Sequence, residues 1–139
     1  MHSIPGAECR LEDELGERIR VNTENWLLRA PGANPGILEM FHRRDRHLPY
    51  PEPVPWAGEL AGKYLLSAVQ ACRLSDSARL RPFVEEFVEE LLACQAKDGY
   101  LGPWPREERL QGHWDLWGHY HCMLGLLTWY DDTGHREAY

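Results

Sequence analysis

Apolar residues recur at helical spacing in four stretches of this chain. The first, 11–29, carries a loose stripe of Leu15, Ile19, Trp26 and Leu27, and Pro31 with Gly32 is expected to end it. The second, 57–74, places Leu60, Ala61, Tyr64, Leu65, Ala68, Ala71 and Cys72 on a helical period. Its small residues, among them Gly58, Ala61, Gly62 and Ala68, predict close approach of a neighbouring backbone. The third, 78–96, has the clearest face: Leu80, Phe83, Val84, Phe87, Val88, Leu91 and Leu92 point one way. Glu85, Glu86, Glu89 and Glu90 then face water, so this helix reads as an outer one. Ser77 is the expected cap, and Asp98 with Gly99 the expected close. The fourth, 114–131, has Leu116, Tyr120, Met123, Leu124, Leu127 and Tyr130 along one face and almost no charge, so it reads as buried. Thr133 and Gly134 stop it.

Between the first two helices, 33–55 reads as irregular apart from a short helical candidate at 37–41. Pro49, Pro51, Pro53 and Pro55 forbid regular helix, because each removes a donor and fixes its own backbone. A connection this long in a small domain is functional or packs over something larger. A faint repeat links the second and fourth helices: Trp56 opens one and Trp114 the other, 58 residues later. That period fits stacked helical hairpins, inner helix then outer helix. The expectation is therefore an all-α fold, a single unit over 1–139. Two antiparallel helical hairpins would form an arc, the second and fourth helices inside, the first and third outside.

Composition narrows the function. With 43% apolar and 27% charged residues the chain can build a core. A net charge of -7 argues against nucleic-acid and anionic-membrane partners, and the short basic run Arg43, Arg44, Arg46 is interrupted by Asp45. Cys9, Cys72, Cys94 and Cys122 are too dispersed for a zinc ribbon or a redox pair, and the last three lie in apolar helical patterns as buried thiols. Residues 1–10 contain no secretory apolar run, and no stretch of about 18 apolar residues exists, so a reducing, cytoplasmic setting is the default. Six Trp and six Tyr can fill a core or stack on the C–H faces of sugars.

The densest polar cluster opens the fourth helix. Asp115 and His119 share one face and Trp117 and His121 another. Three readings stay open. Asp115, His119 and Cys122 have the residue types of a metal site. Asp, His and Trp together also make a polar rim for a neutral, hydroxyl-rich ligand. Alternatively, Asp115 serves the helix dipole and the histidines are hydrogen-bonded inside. The segment 96–105 adds Tyr100 and Trp104 in a loop, and Glu59 points to the same rim. Glu59 and Asp115 are the carboxylates with aromatic neighbours, but nothing in their spacing makes them an acid–base pair. Nucleophile elbows, phosphate loops and dinucleotide fingerprints are lacking.

Four segments carry a resemblance: 34–41 (NPGILEMF), 55–64 (PWAGELAGKY), Gln95 through Asp98, Gly99, Tyr100, Leu101 and Gly102, and 114–119 (WDLWGH). In this order they resemble the front of the β-L-arabinofuranosidase-like proteins, glycoside hydrolase family 127 and its relatives, over residues 15–134. The resemblance implies part of an (α/α)6 barrel, and a parent that hydrolyses glycosidic bonds, L-arabinofuranosides among them. It implies a substrate-facing rim of Glu59, Tyr100, Asp115, Trp117, His119 and His121. In that family the nucleophilic cysteine, the acid/base glutamate and the zinc ligands lie further along the chain. No catalytic or metal residue and no cofactor are therefore assigned here; zinc belongs to a full-length parent. Whether the chain is itself an enzyme stays open. The isolated chain is expected to be inactive and to associate with itself or with a missing remainder. A non-catalytic helical module for a carbohydrate or a protein partner is the alternative.

Overall fold

The computed structural model describes Cys9 and residues 11–44, 56–75, 77–110 and 114–139, and every regular element among them is helical. The order is α1 (Asp13–Asn22), a π-helical turn (Thr23–Leu27), α2 (Ala30–Ala33), α3 (Gly36–Arg43), α4 (Glu59–Leu74), α5 (Leu80–Ala93) and α6 (Asp115–Thr133), with 3-10 turns at Arg106–Glu108 and Arg136–Ala138. The expected four-proline bar to helix falls at 45–55, outside the described residues. Among the described residues no helix is long and apolar enough to cross a membrane.

α4 is the centre of the molecule. Leu65, Ala68 and Val69 are fully buried, and α5 supplies Leu80, Val84, Val88 and Leu91 to the same core. Tyr64 meets Phe87 at 4.7 Å between ring centroids, and one turn from the end of α4 Cys72 feels the charge of Arg81. Contacts that rise along one helix as they fall along the other make α4 and α5 antiparallel. The glutamates of α5 are exposed, as its pattern predicts.

α4 and α6 run the same way. Gly118 sits on Ala57 and Gly58, Gly62 on His121 and Cys122, and Gly125 on Gly62 and Leu65. Near the far ends, Arg73 pairs with Asp132 at 2.9 Å. Glycine at three facing positions brings the backbones close enough for side chains to be excluded from the seam. The faint 58-residue repeat is the register of this parallel pair.

Several boundaries differ from expectation. Pro31 does not end a helix; it lies in the first turn of α2, where its missing N–H has no helical partner to lose. α1 buries nothing and Leu15 and Trp26 are exposed; of the stripe read over 11–29, Leu27 in the π-helical turn is the fully buried member. Ser77 gives α5 its carbonyl rather than its hydroxyl, accepting from the Leu80 N–H at 3.2 Å. α5 ends at Ala93, a turn before Asp98 and Gly99. Gly99, at φ +87°, instead closes a turn in which Ala96 N–H donates to the Tyr100 carbonyl at 2.8 Å. Gly134, at φ +73°, does end α6.

The largest departure concerns α6. Leu116, Tyr120, Met123 and Leu127 are exposed, Leu116 at 64%. The face that packs is Asp115, Gly118, Cys122, Gly125, Leu126 and Trp129. A helix with two apolar faces offers both to a pattern reading, and the close approach of α4 selects the one made of small residues.

Candidate functional site

The six rim residues fall into two groups, following the two faces read at the start of α6. The first group is closed. Asp115 is 1% exposed. Its carboxylate accepts from the Tyr100 hydroxyl at 3.0 and 3.1 Å and from the Leu110 N–H at 2.9 Å. Leu110 holds φ +64° to present that N–H, a conformation a leucine adopts only under constraint. The Tyr100 hydroxyl in turn accepts from the Trp104 N–H at 3.1 Å. Arg109 lies over the Tyr100 ring at 4.1 Å and donates to the Trp104 carbonyl and to Asp98. Burial pushes the Tyr100 phenol well above its ordinary range, so it remains a donor. Gly102 is required: a Cβ there would stand 2.4 Å from the Tyr100 hydroxyl oxygen. These bonds fasten the 96–110 loop to the first turn of α6.

His119 borders this group, its ring 4.8 Å from that of Tyr100. Burial is the main cause that lowers its pKa, Arg109 adds to the effect, and Asp115 opposes it. Its buried Nε2 has no hydrogen-bond partner among the described residues.

The second group is open. The Trp117 indole N–H donates to the Glu59 carboxylate across the α4–α6 seam. Lys63 Nζ pairs with the same carboxylate at 3.1 Å and lies 5.7 Å from the centre of the Trp117 ring. The edge of His121 meets Trp117 at 4.6 Å, and Tyr120 stacks beside Trp117 at 5.9 Å. Desolvation, then Lys63, lowers the His121 pKa, against Glu59. Neither buried ring nitrogen of His121 has a hydrogen-bond partner among the described residues. The result is an aromatic surface edged by a carboxylate and an ammonium, with both His121 nitrogens closed off from solvent.

A family model described as β-L-arabinofuranosidase, GH127 catalytic domain, matches residues 20–139. The chain belongs to this family. No curated protein and no solved structure matches it. Membership makes the GH127 chain glycoside hydrolase-like and fits its helical build.

The metal reading of α6 in this GH127 chain finds no geometric support: the ligand atoms of Asp115, His119 and Cys122 do not gather within 4.8 Å as a group. Cys122 is buried, its thiol points to the Gly58 carbonyl at 3.6 Å, and burial pushes its pKa up to about 12. Glu89, His135 and Glu137 do gather on the surface. There the Trp129 indole N–H donates to His135 Nδ1 at 3.1 Å, which puts the neutral ring's proton on Nε2, facing both carboxylates. A protonated nitrogen is a hydrogen-bond donor and not a ligand, so at this corner Nε2 faces the two carboxylates as a donor.

Cys72 and Cys94 are likewise buried, with thiols raised to about 11 by desolvation, and all four cysteines are free. Sequence reasoning missed Lys63 and Arg109. Lys63 stands four residues after Glu59 on one helix, a spacing that could have revealed it. Arg109 reaches Tyr100 through loop geometry that no periodicity encodes.

Proposed function

We propose that this chain supplies one wall of the sugar pocket of a glycosidase that cleaves L-arabinofuranosides, within an arc of an (α/α)6 barrel. The observation that carries the reading is the cluster of Glu59, Lys63, Trp117 and His121 astride the parallel α4–α6 pair in a chain of this family. A furanoside is neutral, with one C–H-rich side and several hydroxyls. Trp117 offers a π-face for the former. Glu59 accepts from hydroxyls, and the Lys63 ammonium donates to them. Tyr100 and Asp115 serve the same wall from behind, by fixing the loop and the first turn of α6 from which Trp117, His119 and His121 project.

The same geometry argues against turnover by this chain alone. A two-carboxyl hydrolysis takes groups roughly 5–10 Å apart across the sugar, and a cysteine nucleophile acts as its thiolate, which burial disfavours at Cys72, Cys94 and Cys122. Glu59 is on the open face, but Asp115 is committed to two internal donors, the Tyr100 hydroxyl and the Leu110 N–H. An assay on aryl L-arabinofuranosides should therefore show no hydrolysis by the isolated chain. Turnover that Glu59→Gln or Asp115→Asn abolishes would overturn this reading.

A further inference from the structure

We propose that His135 is a proton-operated latch. As a neutral ring it is tied to Trp129 of α6; a second proton breaks that tie, moves the ring onto the carboxylates of Glu89 and Glu137, and loosens the 3-10 turn Arg136–Ala138. The inference does not rest on the sugar-binding reading.

An indole nitrogen can only donate, so in the bond between Trp129 Nε1 and His135 Nδ1, 3.1 Å long, the imidazole nitrogen is the acceptor. Trp129 is 2% exposed, and its N–H depends on this partner inside the protein. The backbone holds the ring in place just past α6. Gly134 N–H donates to the Tyr130 carbonyl at 2.8 Å, and His135 N–H to the Thr133 hydroxyl at 3.2 Å. The turn that follows hangs on the same residue: Ala138 N–H donates to the His135 carbonyl at 3.1 Å, and Ala138 is buried in the core. One side chain thus joins the end of α6 to the packing of the turn.

With its first proton on Nε2, the ring has one place for a second, and that is Nδ1. Both nitrogens are then donors. The indole N–H faces another N–H, and turning the ring over brings no acceptor to it. On the other side the cation finds partners. Glu89 Oε1 of α5 lies 3.4 Å from Nε2, and Glu137 Oε2 of the turn lies 3.6 Å from it. The α6 carboxylate three residues before His135, Asp132, is already shared by Arg73 and Arg81 at 2.9 Å each. The side chain of His135 is 20% exposed and the two glutamates are more open, so solvent protons reach the corner. A proton therefore trades a neutral bond to α6 for ionic contacts with α5 and with the turn itself. It also leaves a buried donor unpaired, which a packed interior tolerates poorly. Trp129 and Ala138 then loosen together.

Proton–nitrogen correlation spectra of the chain between about pH 8 and 5 test this, with the His135 ring nitrogens followed alongside the Trp129 indole and the Ala138 amide. The neutral ring should carry its proton on Nε2. As the ring takes its second proton, the Trp129 indole signal should shift, and hydrogen exchange at Trp129 Nε1 and at the Ala138 amide should quicken in step with it. His135→Gln keeps an acceptor for the indole and does not titrate, so in that variant both signals should hold still over the same range. A neutral ring protonated on Nδ1 overturns the proposal. So does an indole that stays in place while His135 becomes a cation, an outcome read on the unaltered chain whether or not the variant folds. An indole that answers acid equally in His135→Gln reports titration elsewhere, at His119 or His121, and overturns it as well.

Discussion

Gly62 of α4 lies directly under the His121 carbonyl of α6: a Cβ on Gly62 would stand 2.1 Å from the carbonyl carbon and 2.3 Å from its oxygen. No rotamer relieves such a clash, because both partners are backbone. The contact fixes how close the two helices come, and with it the distance from Glu59 to Trp117 across the seam.

Gly62→Ala should therefore cost more stability than its one added methyl implies. Overpacking a well-filled core costs about 1–3 kcal/mol, and a backbone clash belongs at or above the top of that range. Gly125→Ala meets Gly62 O at 3.0 Å and should cost less. Urea denaturation of both variants tests the ranking; equal midpoints for Gly62→Ala and the parent would refute the close parallel seam.

Asp115 supports rather than exposes a carboxylate, so its loss should appear in stability. Asp115→Asn turns a carboxylate that accepts from the Tyr100 hydroxyl and the Leu110 N–H into a group with one acceptor oxygen and a donor facing donors. The expected cost is about 1–3 kcal/mol, and Tyr100→Phe, which strips the bonds to Asp115 and Trp104, belongs in the same range. Glu59→Gln, on the open face, should leave the denaturation midpoint almost unchanged. The reverse order would mean that Asp115 does not hold the loop.

Acid should weaken the fold before its carboxylates titrate. His119 and His121 are lowered from 6.5, so the unfolded chain takes up their protons first as pH falls. Their contribution is fully present above the unfolded value and is lost as pH drops through it. As pH falls below about 6.5, stability should decline, more for the well-buried His119 than for His121. His119→Gln should flatten that decline. A pH profile level across the window, or one that His119→Gln leaves unchanged, would contradict the burial of these rings.

What the chain made legible depended on the size of the side chains involved. The wet and dry faces of α5 are written in large apolar residues against glutamates, and the structure keeps them. The packed face of α6 is written in Gly118, Cys122 and Gly125, which carry little apolar signal, so its larger residues drew attention to the face left open. Within the candidate site, the pairing of Trp117 with His121 was visible because the two are one helical turn apart. The burial of Asp115 was not, since its donors are Tyr100 and Leu110, brought back by a loop whose path depends on Gly102 and on a leucine at positive φ.

If the open face of α4 and α6 binds a sugar as proposed, the indole N–H of Trp117 reports on it most directly. Each of the six tryptophans gives its own indole signal in a proton–nitrogen correlation spectrum. Titration with methyl β-L-arabinofuranoside should shift Trp117 and leave the buried Trp104 and Trp129 in place. Glu59→Gln should weaken the response several-fold, since it weakens the acceptor that both orients the indole and meets the hydroxyls. A spectrum unmoved at saturating sugar, or shifts confined to residues away from Glu59, Trp117 and His121, would contradict the account.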